Sequence, residues 1–92
     1  MNKFYASSPV VMIEAEDYFD VVVYIYTPPK LRGQGLMRKL WEEEVLPAVT
    51  RNLFLIFQPD EGTDPARLRK FYEGLGFHFD EEGAVAIREF ET

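Results

Sequence analysis

The sequence contains no cysteine and only one histidine, and each absence rules out a kind of site. Without cysteine the chain can form no disulfide, no thiolate metal centre and no cysteine nucleophile. A single histidine argues against a histidine-rich metal site or a histidine proton relay. No apolar run approaches the length that crosses a bilayer, and the first residues lack the apolar stretch of a signal peptide. We therefore expect a cytoplasmic protein that binds no metal and enters no membrane.

Positive charge is also scarce. Ten Lys and Arg residues stand against sixteen Asp and Glu residues, which gives a net charge of −6. A general attraction to nucleic acid or to anionic lipid is therefore not expected. The basic residues concentrate in two short segments, 30–39 and 67–70. This clustering fits a local anion site, although the same residues would also suit ordinary solvated helix faces.

Apolar residues, in contrast, are plentiful. They make up 47% of the 92 residues and include eight Phe, five Tyr and one Trp. That content is enough to build one hydrophobic core, whereas the length is too short for two domains. We therefore predict a single domain over residues 1–92.

The hydrophobic pattern predicts an alternation of strands and helices. The predicted strands cover residues 10–15, 21–26, 52–58, 77–79 and 84–90, and the predicted helices begin near residues 36 and 64. Segment 21–26 is apolar almost throughout, which predicts a central strand covered on both faces. The strand-helix-strand order requires 21–26 and 52–58 to run parallel, whereas the terminal strands pair antiparallel. The fold class is thus α/β (α+β), with a mixed, mostly antiparallel sheet.

The segment PPKLRGQGLMRKLWEEE, residues 28–44, leads from the end of the central strand into a helix. The first turn of a helix exposes unpaired N–H groups and the positive end of its dipole. Gly33 and Gly35 let the backbone approach a ligand, and Arg32 adds a charge, so the loop could cradle a phosphate. The same glycines would also serve a mere tight turn. A dinucleotide-binding fingerprint is excluded, because Arg38 stands where its third glycine is needed.

The loop resembles the acetyl-CoA loop of the GCN5-related N-acetyltransferases (GNAT), which reads Gln/Arg-x-x-Gly-x-Gly/Ala. Arg32 and Gly35 match that pattern, whereas Met37 replaces the final small residue. A second block, FYEGLGF at residues 71–77, is similar to the family's FYxxLGF motif. The chain departs from the family at Pro65, where an Asn is common. It also has only residues 1–9 where the family has a strand and two helices that wall the acceptor side.

The resemblance implies an acyl-CoA N-acyltransferase fold, in which the central parallel strands splay apart to hold acetyl-CoA. Backbone groups near Ile25, Tyr26 and Thr27 would pair with the pantetheine arm. Backbone N–H groups of the loop would hold the pyrophosphate, and the residues concerned are Leu31, Arg32, Gly33, Gln34, Gly35, Leu36 and Met37. The implied reaction moves an acetyl group to an amine of a small molecule or peptide by direct attack.

The resemblance also assigns Tyr72 as the acid that protonates the departing thiolate, whereas a core aromatic is the alternative. Glu14 and Glu16 are candidates for the general base, although they could equally be a solvated carboxylate pair without a catalytic role, and a water chain could serve as the base instead. Tyr24 and Tyr26 should share one face of the central strand. A reduced GNAT module that binds CoA or a protein partner without turnover stays open as an alternative. The missing acceptor wall also predicts a partner surface, such as that of a homodimer.

Overall fold

The computed structural model describes residues 9–59 and 61–90 and the backbone of residues 2–5. One six-stranded sheet has the order β1-β2-β3-β4-β6-β5. Only β3 and β4 pair in parallel, and the other neighbours pair antiparallel. The predicted mixed, mostly antiparallel sheet with a central parallel pair is confirmed. The strands are β1 Asn2–Tyr5, β2 Val10–Ala15, β3 Asp20–Tyr26, β4 Leu53–Ile56, β5 His78–Phe79 and β6 Val85–Arg88.

The first helical region follows a 3₁₀ turn, Pro29–Leu31, and consists of three consecutive segments: α1 Leu36–Leu40, a π-helical turn Trp41–Val45, and α2 Leu46–Ala48. In the π-helical turn the N–H of Leu46 donates to the carbonyl of Trp41, five residues back. The next residue is Pro47, which has no N–H to continue the helical ladder. Val49 is already extended, so the predicted end of the helix near Pro47 is confirmed.

The second helix, α3, covers Pro65–Gly74 and begins as predicted. One Asp64 carboxylate oxygen accepts from the N–H groups of Ala66 and Arg67, at 3.1 and 3.4 Å. Pro65 occupies the first helical position, where no N–H is needed. At the other end the N–H of Phe77 returns to the carbonyl of Tyr72, which turns the chain into β5.

Both helices pack on the same face of the sheet, which we call the helix face. Its buried strand residues are Val11, Ile13, Val22, Leu53, Leu55 and Ala86. Trp41 from the π-helical turn lies edge-on to Tyr72 and Phe77, with ring centroids 6.2 and 5.9 Å apart. Such aromatic pairs add about 0.5–1.5 kcal/mol each beyond the area they bury. Trp41 is therefore the centre of the core.

The opposite face, called the outward face, carries no helix within the described residues. Cross-strand pairing places Val21, Phe54 and Ile87 in one row on this face, and all three are only half-buried. Tyr24 is 48% exposed on the same side of β3. The prediction that the central strand is covered on both faces is therefore wrong. The apolar residues of this strand alternate between the buried helix face and the uncovered outward face.

Strand β1 was not predicted, because the first predicted strand begins at residue 10. Asn2–Tyr5 pairs antiparallel with β2, from Asn2 opposite Ile13 to Tyr5 opposite Val10. The strand is only four residues long and starts with two polar residues, so it shows no clear alternation. It forms one edge of the sheet and lies beside β2, on the side away from β3.

No helix of the described ranges is long and apolar enough to span a membrane.

Candidate functional site: a cleft between two splayed strands

The two parallel strands separate after three pairs of residues. Their pairing runs from Asp20 opposite Leu53 to Val22 opposite Leu55. Beyond Val22, β3 stays paired with β2 as far as Tyr26. A register shift in this β2–β3 ladder leaves Val23 without an opposite residue, as in a β-bulge, which bends a strand and increases its twist. The strands therefore diverge, and a cleft opens between them.

The cleft has a volume of about 660 Å³. Its walls come from the end of β3, the end of β4 with the segment that follows, the glycine loop, and α3. Between these walls the free edges of β3 and β4 leave backbone groups available for an extended ligand. The lining residues are Val22–Thr27, Leu55–Pro59, Arg32, Met37, Gly62–Asp64, Arg67, Leu68, Phe71 and Tyr72.

The glycine loop approaches the cleft with two residues in the left-handed region. Gly33 has a φ of +81° and Gly35 has a φ of +73°. Gly35 also stands directly before α1, where no side chain caps the helix. The Lys39 N–H donates to the Gly35 carbonyl at 3.0 Å, so the N–H groups of the three preceding helical residues have no helical acceptor. A Cβ added at either glycine would meet nothing within 4 Å, so the space beside this backbone is open.

Arg32 is tied to the end of the central strand. Its Nε donates to the carbonyl of Thr27 at 2.9 Å, while the side chain remains exposed and lines the cleft. This bond fixes the guanidinium and leaves its other N–H groups for an anion. Gln34 bonds back to the Lys30 carbonyl at 3.3 Å, which closes the loop on itself. A second guanidinium, Arg67, lies on the α3 wall of the same cleft.

Tyr72 combines burial with access to the cleft. Only 2% of its surface is exposed, and its ring lies against Trp41, Phe71 and Phe77. It is nevertheless one of the residues that line the cleft. Burial raises the pKa of the Tyr72 phenol above its ordinary value of 10.0. The phenol is therefore protonated at neutral pH and able to donate a proton.

The structure brings six of the predicted site residues to the walls of this cleft. Ile25, Tyr26, Thr27, Arg32, Met37 and Tyr72 line it directly. The other predicted members of the loop, Leu31, Gly33, Gln34, Gly35 and Leu36, lie between Arg32 and Met37 or beside them in the chain. Tyr24 and Tyr26 share one face, as predicted, with their rings stacked 6.3 Å apart. The roles assigned to these residues stay predictions.

Glu14 and Glu16 do not line the cleft. Glu14 is exposed on β2 opposite Val21, where β3 and β4 are still paired. Glu16 is in the turn after β2, where its N–H donates to the carbonyl of Phe19. Arg51 holds this turn by donating to the carbonyls of Glu16 and Phe19 and to the Asp20 carboxylate. The structure thus separates both carboxylates from Tyr72.

Several residues that line the cleft were not predicted as site residues from the sequence. Arg67 and Phe71 lie four residues apart on α3, so they share a helical face that borders the cleft. The basic segment 67–70 was a signal of an anion site, but charge alone does not distinguish Arg67 from its exposed neighbours. Val23 and Ile56 were read as buried sheet, yet they are 45% and 60% exposed at the point where the strands part.

No family model matches the sequence, and no curated protein matches it significantly. Two solved structures do match in fold. One is a Bacteroides thetaiotaomicron protein classed as a GNAT-family acetyltransferase, with a TM-score of 0.71 and 21% identity over 91% of this chain. The chain has the GNAT fold. It spans 56% of the length of that neighbour.

The second structure is that of the anti-CRISPR protein AcrVA5, with a TM-score of 0.61 and 15% identity. The match covers 94% of this chain and 95% of AcrVA5, so the two chains correspond over nearly their whole lengths. At these identities the comparisons establish the fold alone. The expected acyl-CoA N-acyltransferase architecture is thereby confirmed, whereas activity and ligand are matters for a proposal.

Proposed function

We propose that the protein binds acetyl-CoA in the cleft between β3 and β4 and transfers the acetyl group to an amine. The observation that carries this proposal is the glycine loop, which presents an uncapped helix start beside the splayed strands. Backbone N–H groups at a helix start, together with the helix dipole, favour a phosphate. The fold makes acetyl-CoA the ligand to test first, because the Bacteroides neighbour is classed as an acetyltransferase.

The residues present suit the chemical parts of such a ligand. The N–H groups of Leu36, Met37 and Arg38 and the guanidinium of Arg32 would bind the pyrophosphate. Arg67 on the opposite wall supplies a second positive charge. The free edges of β3 and β4 would accept the amide-containing arm as an added strand. Bound acetyl-CoA would supply an activated thioester.

The transfer then needs one attack and two proton movements. The neutral amine nitrogen forms a bond to the thioester carbonyl carbon, the carbon–sulfur bond breaks, and the nitrogen loses a proton to solvent. Tyr72 gives its phenolic proton to the departing sulfur and regains one from water. The position of Tyr72 in the lining of the cleft supports this role, and burial raises the pKa of its phenol, so that the proton is present at neutral pH. A backbone N–H on β3 can donate to the carbonyl oxygen as negative charge develops there.

A second candidate is a module that binds CoA or a protein without turnover. Two observations favour it: Tyr72 is almost fully enclosed by aromatic rings, and one face of the sheet is uncovered. The neighbour AcrVA5 is described as an anti-CRISPR protein, so the fold also occurs in proteins named for another action. CoA release during incubation with an acceptor separates the candidates, since only the enzyme produces free thiol.

Calorimetric titration with acetyl-CoA tests the binding site. We expect the wild type to bind and Gly35→Glu to lose binding, because the new carboxylate would stand where the pyrophosphate is expected. Gly83→Glu is the matched control: it makes the same change at a φ of +71°, in the β5–β6 turn and away from the cleft. Backbone strain is then similar in both variants, and melting temperatures verify this. No binding by the wild type, or equal loss in both variants, would refute the proposal.

A further inference from the structure

We propose that the protein has a second binding site, which takes a free α-amino acid with a large apolar side chain. The site is a cavity of about 450 Å³ near the points where the two helical regions end. Its volume is within the usual range of small-molecule sites, about 300–1,000 Å³. The inference is independent of the proposed function, because it concerns other residues and another ligand.

The cavity and the cleft lie at opposite ends of β4. The cleft is lined by Ile56, the last residue of β4, which pairs with Val85. The cavity is lined by Arg88, which pairs with the first residue of β4, Leu53. The two sites have no lining residue in common. A ligand in the cavity is therefore neither the acetyl donor nor the amine that receives the acetyl group.

Arg88 is held in the cavity wall by one of its N–H groups. Its Nε donates to the carbonyl of Leu75 at 2.7 Å, and the side chain is half-buried. Gly76 makes room for it, because a Cβ at that position would stand only 3.3 Å from the Arg88 Nε. Among the described residues none accepts a hydrogen bond from the two terminal nitrogens of Arg88. The fixed guanidinium can therefore bind both oxygens of a carboxylate.

Glu89 brings the opposite charge to the same cavity. It is exposed and lines the cavity beside Arg88. In the part of the chain that the structure describes, no ion pair joins its carboxylate to Arg88 or to another cation. A simple anion would be repelled by Glu89, and a simple cation by Arg88. A zwitterion satisfies both residues, because its carboxylate can bind to Arg88 and its ammonium group to Glu89.

Apolar side chains form another part of the wall. Leu46 and Val49 come from the end of the first helical region, and Phe90 follows Glu89 in the chain. The N–H of Phe90 donates to the Asn52 side chain at 2.8 Å, which keeps this residue beside the cavity. Apolar walls with a few polar groups are the usual composition of a small-molecule site. The zwitterion that fits both the charges and these walls is an amino acid such as phenylalanine.

His78 provides a direct measurement of this site. It is the only histidine in the sequence, it is exposed, and it lines the cavity. Its ring proton signals in an NMR spectrum therefore belong to a single residue. Titration with L-phenylalanine at constant pH should shift these signals until they saturate, and the titration curve gives the Kd.

Two analogues of L-phenylalanine test the charge pattern. 3-Phenylpropanoate lacks the ammonium group, and L-phenylalaninamide lacks the carboxylate. Each analogue loses one hydrogen bond between charged groups. We expect each to bind about 10-fold more weakly than the amino acid, which corresponds to about 1.4 kcal/mol.

Two variants locate the ligand. Arg88→Gln should weaken the binding of L-phenylalanine about 10-fold, because it removes the partner of the carboxylate. Arg69→Gln is its control, since it removes a guanidinium that does not line the cavity. Glu89→Gln should weaken the binding of L-phenylalanine but strengthen that of 3-phenylpropanoate, because a charge that repels the acid is gone. Glu81→Gln, in the exposed turn between β5 and β6, should change neither.

The possible results decide between a binding site and an incidental cavity. A shift that does not saturate, equal affinities for L-phenylalanine and both analogues, or unchanged binding in Glu89→Gln would overturn the inference. Because Glu89 is exposed, its variant tests the site even if Arg88→Gln lowers the stability. Displacement of L-phenylalanine by acetyl-CoA would also overturn the inference, since the amino acid would then lie in the cleft. If L-phenylalanine binds and acetyl-CoA does not, only the proposed function fails.

Discussion

The two helices that border the cleft begin in opposite ways. At the start of α3 the Asp64 carboxylate accepts two backbone N–H groups, and Pro65 removes the need for a third acceptor. At the start of α1 Gly35 has a positive φ and no side chain caps the helix. The α3 end thus satisfies its own donors, whereas the α1 end leaves its donors for a ligand. The difference fits the proposed binding of the pyrophosphate at the loop wall rather than at the α3 wall.

The two cationic side chains follow the same division. Arg32 is fixed by its bond to the Thr27 carbonyl at the end of the central strand. Arg67 is exposed on the first turn of α3 and makes no side-chain bond within the described residues. A fixed guanidinium loses less conformational entropy on binding than a mobile one. We therefore expect the loop wall to control cofactor affinity and the α3 wall, through Tyr72, to control turnover.

Tyr72→Phe should give the largest effect and tests the α3 wall. We expect kcat to fall about 100-fold, the typical contribution of a positioned proton donor, with little change in the Kd of acetyl-CoA. Thiol release and calorimetry measure the two quantities. Tyr18→Phe is the control, because it removes a hydroxyl from a side chain that is 87% exposed and away from the cleft. It should leave kcat and the Kd of acetyl-CoA unchanged. If turnover persists in Tyr72→Phe, the tyrosine is a core residue and the division between the walls fails.

Arg32→Gln tests the loop wall directly. Loss of a charge-assisted bond to a phosphate should weaken acetyl-CoA binding about 10-fold or more, because such bonds contribute a net of about 1.5–3 kcal/mol. Arg67→Gln makes the same change on the other wall and should weaken binding only about two- to threefold, because that side chain is not fixed. Titrations at two salt concentrations should show the smaller salt dependence in Arg32→Gln. Equal effects of the two substitutions would break the comparison.

Asp64→Ala tests whether the capped start is purely structural. Removing an N-cap carboxylate should lower the free energy of unfolding by about 1 kcal/mol, because two N–H groups lose their acceptor. Asp64→Ser should retain most of the stability, since Ser is also a good cap. Urea denaturation measures both variants, and titration should find acetyl-CoA binding nearly unchanged. A large loss of affinity in the stable Ser variant would show that Asp64 serves the ligand as well as the helix.

Local sequence signals predicted much of this architecture. Asp64 and Pro65 carry their own helix-start chemistry, and the β-branched and aromatic residues of 21–26 favour a strand. The glycine loop and the FYEGLGF block predicted the fold because both resemble GNAT motifs and lie at the separation that the family shows. These signals depend on neighbouring residues, so one sequence suffices to read them.

Features set by long-range packing were harder to predict. Alternating Val and Tyr side chains look the same whether the second face of a strand is covered or open, so the outward face was misread. Val23 became exposed through a bulge whose cause lies in the pairing of β2 with β3. The four residues of β1 gain their strand conformation from β2, and the sequence alone offers no alternation to reveal it.

Met37→Ala should have the smallest effect, and it tests how the Met37 side chain affects ligand binding at the loop wall. Met37 is half-buried, packs against the core and lines the cleft at the position where the GNAT pattern has a small residue. Removing its side chain should widen the cleft beside the pyrophosphate and tighten acetyl-CoA binding about threefold, at a cost of about 1 kcal/mol of stability. Leu36→Ala, on the neighbouring half-buried residue that does not line the cleft, should leave affinity unchanged. Weaker binding by Met37→Ala would instead show that the Met37 thioether contacts acetyl-CoA. That contact would then replace the close backbone approach that a small residue allows.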